Sequence, residues 1–172
     1  MITTVADFNL ADFRKLISET LGLPIALVVP ENEAHSVANT AFITVGVAFS
    51  ENLSYGSQSW DPVTEIIRYN TDWLLTIDVN AYGKNSESLL RKLCACLNQV
   101  SATKLALRKL KLGFVSHSTI RDLSAMALPT WEERAQVSFQ ISYSHIIQTE
   151  QRRIDIVRLA IHDEFERVDI LL

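Results

Sequence analysis

The stretch AQVSFQISYS, residues 135–144, decides the fold class because it alternates strictly between two kinds of side chain. Apolar and aromatic residues occupy one side, while neutral amides and hydroxyls occupy the other. Alternation with a period of two predicts a β-strand that buries one face. The apolar side comprises Ala135, Val137, Phe139, Ile141 and Tyr143, and the polar side comprises Gln136, Ser138, Gln140, Ser142 and Ser144.

Length and composition indicate one soluble globular domain spanning residues 1–172. The chain is 48% apolar and 21% charged, which excludes a disordered protein and allows a sizeable core. A net charge of −4 gives no reason to expect a phosphate-binding surface. Residues 150–172 fit a strand by composition and a helix by spacing, so we predict either a C-terminal arm or an edge strand there.

The remaining elements follow from periodicity and from turn residues. A first helix is predicted to begin at Asn9 and to end at Gly22, and a second amphipathic helix covers Ser86–Val100. The predicted strands are Ile25–Val29, Thr40–Phe49, Val63–Asn70, Asp72–Asn80 and Leu105–Leu112, with a long loop at Ser50–Pro62. Val63–Asn70 and Asp72–Asn80 are predicted to form an antiparallel hairpin. The predicted fold class is α+β, with a mostly antiparallel β-sheet packed by two amphipathic helices.

Motifs that would indicate chemistry are absent from the sequence. None of the four histidines has a second ligand-type residue at metal spacing, and no glycine-rich phosphate loop or nucleophile motif occurs. Cys94 and Cys96 point in different directions on the predicted helix, so we interpret them as small apolar residues in a reducing compartment. We therefore predict no catalytic, cofactor-binding or metal-binding residue, and no enzymatic activity.

Two weaker patterns leave alternatives open. Asp72, Thr76 and Asp78 share one strand face, where paired carboxylates would serve acid–base chemistry or a small-molecule site. The basic residues between Lys104 and Lys111 would suit nucleic acid, or would protect an edge strand from stray pairing. A solvated sheet face and a protected edge are the simpler interpretations.

Two segments resemble motifs of phage tail and neck terminator proteins. The segment IDVNAYGKNSESLLRKL, residues 77–93, resembles that family's strand, Tyr-Gly turn and amphipathic helix. The segment WEERAQVSFQISYS, residues 131–144, resembles its later aromatic-Glu-x-Arg opening of a long alternating strand. Tyr82, Gly83, Trp131, Glu133 and Arg134 keep the pattern, whereas Asn80 stands where the family usually has Asp.

The resemblance implies a non-enzymatic structural protein of a tailed-phage virion, located in the tail and neck region and assembled in the host cytoplasm. Such proteins form a homo-oligomeric ring, commonly a hexamer, that caps the tail tube and joins it to the neck. The implied partners are the tail tube or sheath protein and a neck or connector protein, with DNA at most passing through the lumen. Another head–tail connector or a tube-like protein is the closest alternative. The N-terminal residues MITTVADFNL have neither a basic region nor an apolar run, so we expect no signal peptide and no membrane partner.

Subunit or partner contacts are expected at the residues of the two motifs and on the neutral face of the predicted strand that the second motif opens. Amide and hydroxyl groups enter a protein contact at far lower desolvation cost than charges, provided that they are paired. Aromatic residues among Ser, Gly and Asn in the predicted loop also suit a partner. The predicted interface residues are Tyr55, Trp60, Tyr82, Gly83, Trp131, Glu133, Arg134, Gln136, Ser138, Gln140 and Ser142.

Overall fold

The computed structural model describes residues 1–32, 41–127, 130–151, 156–158 and 169–171. The helices in these residues are α1 (Leu10–Leu21), α2 (Ser86–Gln99) and α3 (Ser101–Lys109), and a short 3₁₀ turn covers Ile25–Leu27. The strands are β1 (Ile2–Ala6), β2 (Val28–Pro30), β3 (Phe42–Asn52), β4 (Ser57–Asp61), β5 (Ile66–Tyr82), β6 (Leu112–His117), β7 (Arg121–Asp122), β8 (Ala125–Ala127), β9 (Thr130–Glu132), β10 (Arg134–Glu150), β11 (Ile156–Arg158) and β12 (Asp169–Leu171).

One large sheet organises the molecule. Its strand order is β1-β10-β5-β3-β2, while β6 and β7 also pair with β10 and β4 also pairs with β5. Within the described sheet every pair is antiparallel except β2 with β3. The predicted α+β class with a mostly antiparallel sheet is therefore confirmed, although three helices rather than two pack on the sheet.

The sheet is centred on β5 and β10, which pair without interruption from Arg134–Tyr82 to Glu150–Ile66. The predicted hairpin between Val63–Asn70 and Asp72–Asn80 is therefore wrong, because β5 runs straight through both arms. Asn70 and Thr71 stay in the ladder opposite Ile146 and His145.

The true turn precedes β5. The Asp61 carboxylate accepts a hydrogen bond from the Val63 amide at 2.9 Å, and Glu65 takes a positive φ of 52°. That amide, together with the Thr64 hydroxyl, holds the pKa of Asp61 below its ordinary value.

The predicted loop Ser50–Pro62 is also largely strand. The β3 strand continues to Asn52, and β4 then pairs with the first part of β5. Both strands lie along the same edge of β5, so the chain between them makes only a short detour at residues 53–56. The polar and small residues of β4 do not indicate a strand in the sequence, because strand propensity depends on the partner strand more than on the residue type.

The predicted strand Leu105–Leu112 is wrong for most of its length, since α3 occupies residues 101–109. Leu105 and Leu107 alternate, but Thr103 and Leu107 are the buried pair, four positions apart on one helix face. Leu105 is 55% exposed. Lys111, at φ 58°, turns the chain out of the helix, and β6 begins at Leu112.

The first helix agrees with its predicted capping residues. The Asn9 side chain accepts a hydrogen bond from the Ala11 amide at 2.9 Å, and Gly22 ends the helix with φ 72°. The predicted strand at Ile25–Val29 is shorter, because the 3₁₀ turn replaces its beginning. The β1 strand had no sequence signal and pairs with the last part of β10.

The core lies between the helices and one face of the sheet. Phe139 and Ile141 are fully buried, Ala135 and Val137 are likewise covered, and Tyr143 is partly buried, so the alternation of β10 is confirmed. These side chains pack with α1, α2 and α3 through an apolar cluster whose largest fully buried members include Phe13, Ile17, Leu90, Leu93, Leu97, Ile43 and Ile77. No helix in the described residues is long and apolar enough to cross a membrane.

The C-terminal prediction falls mostly outside the described residues. Within it, β11 and β12 pair with each other in a separate two-stranded ladder. Two of the four histidines, His35 and His162, also lie outside the described residues.

Candidate functional site: the motif junction and the polar sheet face

The first motif forms a tight turn between β5 and α2. Gly83 has φ 88°, and a Cβ added there would lie 3.0 Å from the Cα of Ala41. Both the backbone conformation and the close approach of another segment therefore require glycine. The Ser86 amide donates to the Gly83 carbonyl at 3.1 Å, which closes the turn immediately before α2 begins.

The second motif holds this turn through Glu133. The Gly83 amide donates to the Glu133 backbone carbonyl at 2.9 Å, and the Asn85 amide donates to its carboxylate at 2.8 Å. The carboxylate also lies at the N-terminal end of α2, where the helix dipole favours negative charge. Residues that are 50 positions apart in the sequence thus form one joint, which we call the motif junction (Tyr82, Gly83, Asn85, Glu133 and Arg134).

Arg134 and Tyr82 complete the motif junction on the sheet surface. They face each other in register, and the Arg134 guanidinium carbon lies 5.0 Å from the centre of the Tyr82 ring. The ring of Tyr82 stacks on Phe42, with centroids 4.6 Å apart and planes within 6°. Arg134 Nη2 also donates to Asn80 Oδ1 at 3.2 Å. The structure therefore brings four of the five matching motif residues together.

Trp131 is the fifth matching residue, and the structure defines only its backbone. That backbone pairs with Met126 in the β8–β9 ladder. The predicted interface role of Trp131 stays a prediction, as do those of the motif junction residues.

The polar face of β10 is hydrogen-bonded within the chain. Ser138 Oγ donates to Asp78 Oδ1 at 2.6 Å, and Gln136 Nε2 donates to the other oxygen of Asp78 at 3.4 Å. Ser116 Oγ donates to Gln140 Oε1 at 2.6 Å. Ser142 Oγ donates to the Gly113 carbonyl at 3.3 Å. Sequence alternation placed these residues on one face, but it did not reveal that neighbouring strands supply their partners.

Asp72 and Asp78 do not form a carboxylate pair. Six positions separate them on one straight strand, which corresponds to roughly 20 Å at the usual rise per residue. Asp72 accepts instead from Ser144 Oγ at 2.6 Å. Two carboxylates so far apart cannot act on one bond, so the geometry gives no support to an acid–base site.

Among the described residues, the buried polar atoms without a hydrogen-bond partner all belong to this same sheet face. Asn80 is 0% exposed, and its Nδ2 is one of them. An unpaired buried polar atom costs about 1–3 kcal/mol. No side chain of this face joins the hydrophobic core cluster. The unpartnered atoms are Thr44 Oγ1, Asn70 Oδ1, Thr76 Oγ1, Asn80 Nδ2 and Arg134 Nε.

Several exposed apolar side chains lie on β3, on β4 and in the turns on either side of β4, along one edge of β5. Phe49 is 58% exposed, Trp60 is 44% exposed, and Tyr55 between the two strands is fully exposed. Val47, Leu53 and Val63 along this edge are exposed as well. We call residues 47–63 the apolar ribbon. It contains both aromatic residues that the sequence predicted for partner contact, although Trp60 lies in a strand rather than in a loop.

Titratable clusters do not indicate chemistry in the part of the chain that the structure describes. There, no group of three or more His, Cys, Asp or Glu side chains is arranged to hold a metal ion. His145 Nδ1 lies 3.3 Å from Asp7 Oδ1, which also accepts a hydrogen bond from the Phe8 amide at 2.8 Å. Burial raises the pKa of the Cys94 thiol, which favours the unreactive protonated form.

The basic run is located on and just after α3, so the interpretation of its lysines as protectors of an edge strand is wrong. Lys104 and Arg108 are one helical turn apart and exposed, and Lys111 follows in the turn to β6. Together they line one side of an open pocket region beside β6.

Comparison with known proteins agrees with the two motifs. No curated protein matches the chain. The family model described as "Phage neck terminator protein" matches residues 11–164, a span that includes both motifs, α1 from its second residue, α2, α3 and the whole of β10. Because this match covers most of the 172 residues, the chain belongs to the family of phage neck terminator proteins.

Proposed function

We propose that this neck protein assembles into a closed ring of six copies that caps the tail tube and joins the tail to the connector on the head side. Membership of the neck terminator family gives it a structural role in the phage neck. The ring, its copy number and its partners are the parts of the proposal that go further.

The apolar ribbon is the observation that carries the proposal. Large exposed apolar side chains that cluster on a protein surface often mark a protein contact. Six of them, Val47, Phe49, Leu53, Tyr55, Trp60 and Val63, lie within residues 47–63 along this edge of β5. Their burial in an assembly would remove apolar surface from water and so favour association.

The polar sheet face is a second contact surface in this proposal. Gln136, Ser138, Gln140 and Ser142 present neutral groups that already hold internal partners, so covering them costs little. We assign this face to the tail tube or to the neck connector, and no catalytic step is part of the function.

Native mass spectrometry of the purified chain tests the ring. A 19.4 kDa chain is expected to give a six-copy species that negative-stain images show as a ring. A single monomeric species over the micromolar range would contradict the proposal.

Gold-labelled antibody on virions tests the position. Label at the junction of head and tail is expected. Label along the whole tail would instead favour a tube protein, which is the alternative with the same fold class.

A further inference from the structure

A β-bulge in β3 turns Phe49 onto the polar sheet face. Val47 pairs with Ile77, and Phe49 pairs with Thr76, the neighbouring residue of β5, so Ala48 is an extra residue in the ladder. Without this extra residue, Phe49 would lie on the same side of the sheet as Val47 and Ile77. With it, Phe49 lies on the side of Thr76, which is the polar face. β-Bulges commonly re-aim a side chain in this way.

Phe49 is exposed on this face. Its side chain is 58% exposed, and its ring contacts no other aromatic ring of the described residues. Leu74, which is diagonally across the β3–β5 ladder from Phe49, is half-buried on the same face. A small apolar centre therefore lies on a part of the sheet that otherwise presents hydroxyl, amide and carboxylate groups.

Carboxylates surround this apolar centre. Glu51 follows Phe49 by two residues on the same side of β3. In the other direction along β3, the Glu31 carboxylate occupies the space above Gly46 where a side chain would otherwise stand. Asp78 pairs with Gly46 and is a diagonal neighbour of Phe49. Diagonal neighbours in a ladder are about 7–8 Å apart, a distance that aromatic rings and long side chains span.

No cation of the described residues balances these three carboxylates. The carboxylates of Glu31 and Glu51 have neither an ion pair nor a hydrogen-bond donor there. Asp78 accepts hydrogen bonds from the neutral side chains of Ser138 and Gln136. The centre of the face therefore combines an exposed aromatic ring with uncompensated negative charge, and both attract a cation.

The motif junction on the same face already contains an arrangement of this kind. There, the Arg134 guanidinium carbon lies 5.0 Å from the centre of the Tyr82 ring. The Phe49 ring has carboxylates around it but no such cation. A guanidinium group suits the site better than an ammonium group, because it is planar, stacks on an aromatic ring and has donors for two carboxylates.

We propose that the polar sheet face binds an arginine side chain of the tail tube protein, with its guanidinium group on the Phe49 ring between the carboxylates of Glu31 and Glu51. This inference rests on the proposed function, in which the ring caps the tail tube, and it names the chemistry of that contact. The ring repeats the site once in each copy, just as a tube built from identical subunits repeats its arginine.

Co-sedimentation of the full-length protein with tail tubes that lack it tests the site. Glu51→Lys and Phe49→Ala are each expected to weaken binding at least tenfold at low salt, whereas Phe49→Tyr keeps an aromatic ring and should bind as the wild type does. Glu19→Lys is the matched control, because Glu19 is an exposed acid on α1, on the helix side of the sheet. Native mass spectrometry should still show the ring for every variant, and thermal unfolding by circular dichroism should show that each is folded.

Chemical modification of the tail tubes tests the partner group. Phenylglyoxal blocks guanidinium groups and is expected to abolish binding of the wild-type protein. Acetylation of the lysines of the tubes is expected to leave binding intact. Loss of binding after acetylation alone would overturn the assignment to arginine.

The remaining outcomes separate this site from the proposed function. Wild-type protein that binds no tail tube would overturn both. Wild-type binding that survives Glu51→Lys and Phe49→Ala, or that Glu19→Lys weakens equally, would overturn the site alone. Release of folded monomer by Glu51→Lys or Phe49→Ala would also overturn it, because a second copy of the chain would then be the occupant.

Discussion

Replacement of Gly83 by alanine probes the motif junction at the point where two motifs meet. Two destabilising effects add at this position, one from the backbone conformation and one from steric crowding. A positive φ of 88° is unfavourable for alanine by about 1–2 kcal/mol. The new Cβ would also lie 3.0 Å from the backbone Cα of Ala41, and because backbone cannot rotate away, this crowding adds about 1–3 kcal/mol.

Gly22 supplies a matched control for this substitution. It has a similar φ of 72°, but an added Cβ there meets nothing within 4 Å. Gly22→Ala therefore carries only the first cost, and Gly83→Ala carries both. We expect the free energy of unfolding to fall by about 1 kcal/mol for Gly22→Ala and by about 3 kcal/mol for Gly83→Ala.

Urea denaturation followed by circular dichroism measures the difference in the free energy of unfolding. Thermal unfolding gives a second measure. In a chain of this length each kcal/mol lowers the melting temperature by about 2–4 °C, so the Gly83→Ala protein should melt roughly 4–8 °C below the Gly22→Ala protein. Equal losses in the two variants would refute the close approach of Ala41 and with it the geometry of the junction.

Three further predictions concern the sheet and the core. Arg134→Met removes the donor to the buried side-chain oxygen of Asn80 and should lower the free energy of unfolding by about 2 kcal/mol in urea denaturation. The control Arg91→Met removes an exposed ion pair and should lower the free energy of unfolding by less than about 0.5 kcal/mol. Equal effects would contradict the internal role of Arg134. Gln140→Lys adds a charge to the polar sheet face that we assign to the tail tube or the neck connector, so the ring should persist in native mass spectrometry while co-sedimentation with tail tubes or with the connector weakens; loss of the ring would place this face between subunits. Burial raises the pKa of the Cys94 thiol, so peptide-resolved labelling with maleimide at pH 7.5 should be slower at Cys94 than at Cys96 and should become equal in urea; faster labelling of Cys94 in the folded protein would contradict its burial.

Regular patterns with capping residues were readable from the sequence. The alternation from Ala135 to Ile141 and the boundaries at Asn9 and Gly22 report direct physical requirements: one buried face, a side-chain acceptor for free amides, and a left-handed residue at a helix end. Each of these requirements involves only residues that are close together in the chain, so it can be recognised from the sequence alone.

The predictions are wrong where a partner strand or helix, rather than the local sequence, determines the secondary structure. α3 is only nine residues long, too short for its periodicity to outweigh the accidental alternation of Leu105 and Leu107. β5 was divided at Asn70 because asparagine favours turns, yet seventeen consecutive pairs with β10 hold it straight. β4 is polar and gains its strand conformation from β5.

The candidate site was predictable only in part. Resemblance to a family identified Tyr82, Gly83, Glu133 and Arg134, but it did not show that a backbone amide of one motif meets the carboxylate of the other. The neutral face of β10 was visible as a pattern, whereas its hydrogen bonds to Asp78 and Ser116 depend on strand register.

A cryo-electron microscopy map of the assembled neck tests the central claim most directly. A closed ring of this chain at the head-proximal end of the tail is predicted. A map in which the chain lies elsewhere in the particle, or surrounds the tail axis as separate copies without a closed ring, would contradict the account.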